Sequence, residues 1–186
     1  EAALAKIQSN TGIEKLDLIG MDACLMSQLE VFSALQPYAH YAVASEETEP
    51  SLGWAYSAFL SLLVYDPSIN TADLAANIVD TYIQQDERIV DEQARQEFLQ
   101  QNAGASGFFS AYRMSAEQLA GQLEKSVTLT TVDLDNLPQL ITAFNRFAFD
   151  LQGVDQQGVA SARSYAQSFT SIFGNQVPPS YIDLGH

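Results

Sequence analysis

The feature that most narrows the folds open to this chain lies between residues 16 and 45. Residues 16–21 (LDLIGM) are a short apolar run holding one aspartate, and residues 40–45 (HYAVAS) are a second. Between them Leu25, Leu29, Phe32 and Leu35 recur at helical spacing until Pro37 ends the pattern. A strand, a helix and a strand in so short a span form a βαβ unit, which demands parallel strands and a right-handed crossover. The near-continuous apolar character of the first run predicts a strand buried on both faces.

Similar signals organise the rest. Thr11-Gly12 closes an opening helix, with glycine as its left-handed cap. Periodicity predicts a helix over 54–64. A second starts at Asn70 or Thr71, with Asp73 in its first turn and the stripe Leu74, Ile78, Val79, Tyr82 and Ile83. Residues 84–101 are charged and glutamine-rich, which fits a helical extension with a solvated face. Residues 103–107 form a loop, 108–114 are ambiguous, and Ser115 with Gln118 makes a capping box. The β-branched stretch 127–134 (VTLTTVDL) predicts a third strand. Asp135 is placed to cap a helix striped by Leu137, Leu140, Ile141, Phe144, Phe147 and Leu151, and a last helix is expected over 159–173. Alternating strands and helices predict an α/β sandwich with a mostly parallel sheet, and 186 residues suit one domain.

Charge limits the partners. Eight basic residues face 23 acidic ones, a net charge of −15. A surface so acidic repels phosphate backbones and anionic lipid, which argues against nucleic acid and membrane surfaces and favours cationic peptides. No apolar run reaches the ~18 residues of a spanning helix, and residues 1–15 do not read as a signal peptide. A single cysteine excludes an internal disulfide and a multi-cysteine metal centre, while two histidines, His40 and His186, leave little for a zinc site.

Open α/β sheets gather their chemistry at the carboxyl ends of the strands. Asp22, Ala23 and Cys24 follow the first strand, and Ser45, Glu46 and Glu47 follow the second. The helical pattern from Leu25 places Cys24 at a helix start, where free N–H groups and the positive dipole end favour a thiolate and face a developing oxyanion. A lone cysteine at such a junction is more often a small apolar filler.

These residues carry a resemblance. Asp22-Ala23-Cys24-Leu25-Met26, then Val43-Ala44-Ser45-Glu46-Glu47-Thr48-Glu49-Pro50 and Gly53-Trp54, resemble the clostripain-like cysteine peptidases of the caspase–gingipain–legumain group. The likeness is strong over 13–65 and softer through 127–134 and 180–185. It implies a caspase-like three-layer α/β sandwich, with 1–186 as the cysteine-bearing portion of one peptidase domain and a helical insertion around 66–125. Ser27 and Ser51 depart from small residues frequent in the family.

The resemblance makes Cys24 the nucleophile of an endopeptidase cleaving after arginine or lysine. Asp22 is the first residue expected to meet the basic side chain, since alternation on an extended strand puts it on the face of Cys24. Ser45 and Glu46 are expected on the pocket wall, while Glu47 and Glu49 read as a solvated acidic loop. Trp54 reads as a core anchor ahead of a pocket aromatic. The family's general base is a histidine-glycine motif on an upstream strand, which this sequence lacks; His40 comes after the cysteine and His186 is terminal. The expected partner is therefore an upstream part of the same protein, and the chain alone is expected to be inactive. Glu1 opens directly on helical periodicity, which fits either a processing point or a boundary cut. No cofactor is expected. Calcium is allowed by resemblance through Glu46, Glu47 and Glu49, without an EF-hand spacing. The resemblance favours an extracytoplasmic location. Two further readings stay open: a catalytically dead homologue serving as a binding or scaffold module, and an unrelated doubly wound domain in which Cys24 is core.

Overall fold

The computed structural model describes residues 1–50, 52–102, 114–166 and 182–184. The chain divides into two compact units, Glu1–Asp133 and Leu134–His186.

The first unit is built on a mixed sheet of three strands in the order β1-β2-β3. These are β1 (Leu16–Gly20), β2 (Ala39–Ser45) and β3 (Leu129–Asp133). β1 and β2 run parallel, with Leu18 opposite Tyr41 and Gly20 opposite Val43, as the βαβ pattern requires. β3 pairs antiparallel to β2, with Val43 opposite Thr131 and Ser45 opposite Leu129. Among the described residues the sheet is therefore mixed rather than mostly parallel. The physical reason is that a strand arriving after a long helical excursion is not bound by the βαβ crossover.

β2 is the strand buried on both faces. Val43 belongs to the main apolar cluster, while Ala42 and Ala44, which alternate to the other face, are equally buried. β1 is only half-buried, because β2 is its one neighbour in the described sheet.

Around the sheet lie α1 (Ala2–Thr11), α2 (Leu29–Leu35), α3 (Tyr56–Tyr65), α4 (Thr71–Thr81), α5 (Glu87–Val90), α6 (Glu92–Gln101) and α7 (Ala116–Leu123). α1 ends at Gly12, whose φ of 74° allows its N–H to reach the carbonyl of Gln8. Asn70 caps α4 through the N–H of Asp73, and Ser115 with Gln118 forms the expected capping box on α7. α4 packs across the sheet. Its Ala75 and Ile78, followed by Tyr82 and Ile83, join Trp54, Phe59, Ile89, Leu99 and Leu119 in one core. The extension over 84–101 is two helices whose inner residues Ile89, Phe98 and Leu99 are buried. Residues 103–113 lie outside the described set.

The second unit starts with a 3-10 turn, Leu134–Asn136, and continues in α8 (Leu137–Leu151) and α9 (Gln156–Tyr165). Asn136, not Asp135, is the N-cap of α8, and it makes no side-chain cap hydrogen bond. The tight turn places Asp135 within it, and Pro138 in the first helical turn supplies a preset φ instead. Leu137 is buried, whereas Leu140, Phe144 and Phe147 of the same stripe are exposed. α9 starts at Gln156 with Asp155 as its cap; the part of the expected helix beyond 166 lies outside the described residues. Among the described residues no helix is long and apolar enough to cross a membrane.

Candidate active site

The site is assembled where β1 and β2 end side by side. The N–H of Met21 donates to Val43 O at 2.9 Å, and the chain then leaves the sheet. It is held again a few residues later: Ser27 N–H donates to Ser45 O at 2.9 Å and Leu25 N–H to Glu47 O at 3.1 Å. Between these ties Asp22, Ala23 and Cys24 are exposed at the crest of a turn. Leu25 takes a φ of 60°, a left-handed conformation uncommon for a leucine and held by the bonds around it. Cys24 is thus presented by a strained turn and not by a helix start. α2 begins at Leu29 with Gln28 as its cap. Residues Leu25 and Ser27 are committed to bonds with the segment after β2, so helix propensity does not decide their conformation.

Glu49 brings the second loop onto the first. Its backbone N–H donates to Cys24 Sγ at 3.4 Å. Its Oε1 accepts from Trp54 Nε1 at 3.4 Å, and its carboxyl is hydrogen-bonded with that of Asp22. Asp22 Oδ2 accepts from the backbone N–H of Trp54 at 3.2 Å and from the Tyr56 hydroxyl at 3.0 Å. The turn that allows this contains Gly53, at φ 69°, where a Cβ would stand 3.0 Å from Asp22 Oδ2.

Burial, and then the Asp22 carboxylate beside it, push the Glu49 carboxyl up to about 7. The Tyr82 hydroxyl, at the end of α4, is buried without a partner. Burial raises its ionisation well above the usual phenol range, with further contributions from Glu49, Asp22 and Cys24. Tyr56 is raised for the same reasons, burial first and then Asp22.

Trp54 is an anchor of this loop. It is 3% exposed, and its ring lies so close to β1 that a Cβ on Gly20 would meet Trp54 Cζ3 at 2.7 Å. Its ring stacks beside Tyr56 at 6.4 Å. The far side of this loop is clamped by Arg88, which grips buried Asp86 at 2.9 and 2.6 Å and donates to Trp54 O at 3.3 Å.

Ser45 and Glu46 follow at the end of β2, beside the turn that carries Cys24. Ser45 is 1% exposed, and its hydroxyl lies 3.1 Å from that of Thr128, which also accepts from Glu47 N–H at 2.7 Å. Glu46 is half-buried, and its N–H donates to Thr128 O at 3.4 Å. Both residues tie the end of β2 to the segment before β3. His40 sits at the opposite end of β2 from Ser45, five strand residues or about 16 Å away from the site end. His186 lies outside the described residues. Among the described residues no group of three or more His, Cys, Asp and Glu side chains could hold a metal ion.

Sequence reasoning gave Glu49 to a solvated acidic loop or a calcium ligand, and did not bring Tyr56 or Tyr82 to this turn. Glu49 has no periodic neighbours to mark it, and Tyr82 reads as an ordinary member of the α4 stripe. The spacing that brings Tyr56 to Asp22 exists only once the loop has closed.

The sequence profile of the clostripain family matches residues 3–183. The chain belongs to the clostripain family. The DACLM turn and the SEETEP loop both lie within the matched residues. Among solved structures, this clostripain-family chain is 19% identical to a clostripain from Bacteroides thetaiotaomicron in complex with the peptide inhibitor BTN-VLTK-AOMK. That match covers 98% of this chain and 60% of the other, with a TM-score of 0.54, and shows a common α/β fold. A B. fragilis cysteine protease is 21% identical over 74% of this chain and 44% of its own length, with a TM-score of 0.44. The clostripain-family chain thus spans 60% and 44% of the two proteases it resembles in structure. No curated protein sequence matches it.

Proposed function

We propose that this chain is the nucleophile-bearing part of a clostripain-family endopeptidase that cleaves after lysine or arginine. The observation that carries the reading is an exposed thiol, Cys24, hydrogen-bonded by the backbone of a residue whose carboxyl lies beside that of Asp22. Two carboxyls walled by Trp54 and Tyr56 suit an ammonium or guanidinium group. The peptide part of the inhibitor held by the B. thetaiotaomicron clostripain, VLTK, ends in lysine, which agrees with this preference.

In the reaction, the substrate's basic side chain enters beside Asp22 and sets its carbonyl carbon against Cys24 Sγ. The Cys24 thiol gives its proton to a general base as its sulfur bonds to that carbon, and the carbonyl π electrons move onto oxygen. Collapse of the tetrahedral species breaks the C–N bond, leaving a thioester on Cys24 and an amine that takes a proton from a general acid. Water, losing its proton to the same group, then attacks the thioester, and the departing sulfur takes that proton back as the acid product leaves. His40 is at the wrong end of β2 for this proton transfer, so the reading assigns it to a histidine outside residues 1–186. By itself the chain hydrolyses nothing. No step uses a metal.

The test is covalent labelling of the intact protein with a peptidyl-lysine electrophile. An adduct on Cys24 that is lost in Asp22→Asn supports the peptidase and its preference together. Labelling of Cys24 by a small alkylating agent alone, with no peptidyl adduct, supports a binding module that shares the cleft.

A further inference from the structure

The helix that leaves the site is apolar on both of its faces. α3 (YSAFLSLLVY) has no acidic or basic residue, in a chain whose net charge is −15. Phe59 is buried and the helix packs on α4, so the inner face belongs to the core. On the outer face Tyr56, Leu60 and Val64 are 47%, 46% and 80% exposed, and their spacing of four residues sets them in one row. A helix row facing solvent is ordinarily polar, and a contiguous apolar one marks a place of contact.

The position of the row names its occupant. Tyr56, its first member, donates to Asp22 Oδ2 at 3.0 Å, and Asp22 shares an exposed turn with Cys24. The row therefore starts at the candidate site and runs outward along the helix. Its members are one turn, about 6 Å, apart, while alternate side chains of an extended peptide stand about 6.6 Å apart on one face. A peptide with its basic residue beside Asp22, laid along α3, brings every second side chain over the row.

We propose that Leu60 and Val64 form an apolar subsite continuous with Tyr56, in which Leu60 takes the substrate side chain two residues removed from the basic one and Val64 the next on the same face. The inference rests on the reading above that a basic side chain enters beside Asp22. The preferred substrate is then a peptide with leucine, isoleucine, valine or phenylalanine two positions from its lysine or arginine, on one side of the scissile bond. Such contact removes apolar surface from water equally in the bound substrate and in the transition state, so it lowers KM and leaves kcat nearly unchanged.

The test is steady-state cleavage by the intact protein of lysyl peptides carrying leucine or serine two positions before the lysine, and of a matched set with the exchange two positions after it. In one set kcat/KM should be about tenfold higher for leucine, with the difference in KM. Leu60→Ser should bring that ratio below about threefold, whereas Tyr65→Ser, 89% exposed and off the row, should leave it unchanged. Equal rates for leucine and serine in both sets of the native protein, with lysyl peptides still cut in preference to norleucyl ones, overturn the subsite and leave the basic preference standing. A ratio that survives Leu60→Ser also overturns it, and a simultaneous loss of self-association in sedimentation assigns the row to a second copy of the chain. Failure to prefer lysyl over norleucyl peptides overturns the reading of the site and the subsite together.

Discussion

The backbone N–H of Glu49 donates to the sulfur of Cys24 at 3.4 Å, while the side chain of the same residue lies beside Asp22. One residue of the SEETEP loop therefore touches both the thiol and the acidic pocket. In the proposed reading, a basic side chain bound by these carboxyls would be held at a fixed offset from the sulfur, as positional selectivity requires.

Replacing Cys24 by alanine should remove activity from the intact protein by about 10⁴-fold or more in kcat, the scale of losing a nucleophile. Because the thiol is exposed, the urea midpoint should move little. A large fall in stability would show a packing role instead.

Asp22→Asn should lower kcat/KM for lysyl and arginyl substrates by about 10²-fold, since the proposed charge partner of the basic side chain is lost. The amide can still accept from Trp54 N–H and Tyr56 Oη, so folding should survive. Kinetics on matched lysyl and norleucyl peptides separates the two effects, because only the lysyl rate should fall.

Glu49 also sets a stability window. Its folded-state carboxyl titrates at about 7, above the unfolded value of 4.5, so ionisation disfavours the fold. Stability should be greatest below pH 4.5 as far as this group is concerned, and should fall as pH rises to about 7. With Glu49 only partly buried, solvent screening reduces the effect to on the order of 1 kcal/mol. Urea denaturation of the native protein and Glu49→Gln at several pH values checks this: the fall should be absent in the variant.

Gly20→Ala should cost about 1–3 kcal/mol, because the new methyl meets the buried Trp54 ring at 2.7 Å and the ring must move. Since Trp54 also donates to Glu49 and Asp22, selectivity should weaken along with stability. Thermal unfolding and the lysyl-to-norleucyl rate ratio read the two consequences.

Local rules were legible wherever a single element decides. Parallel pairing of β1 with β2, the Gly12 cap, the Asn70 cap and the Ser115–Gln118 box all follow from short patterns. They failed where distant segments compete. Leu25 and Ser27 read as helix but are bound to Glu47 and Ser45, and Asp135 reads as a cap but falls within a tight turn. Asp22 and Cys24 were singled out from their motif, and the structure places both on one exposed turn. Glu49 and Tyr82 acquire their environments only by loop closure and burial, which no periodicity reports.

The most direct measurement for the central claim is mass spectrometry of the intact protein after treatment with a peptidyl-lysine electrophile. The account predicts a single adduct on Cys24, formed much more slowly by the norleucyl analogue and abolished by Asp22→Asn. Equal labelling by the lysyl and norleucyl reagents, or an adduct on another residue, would contradict it.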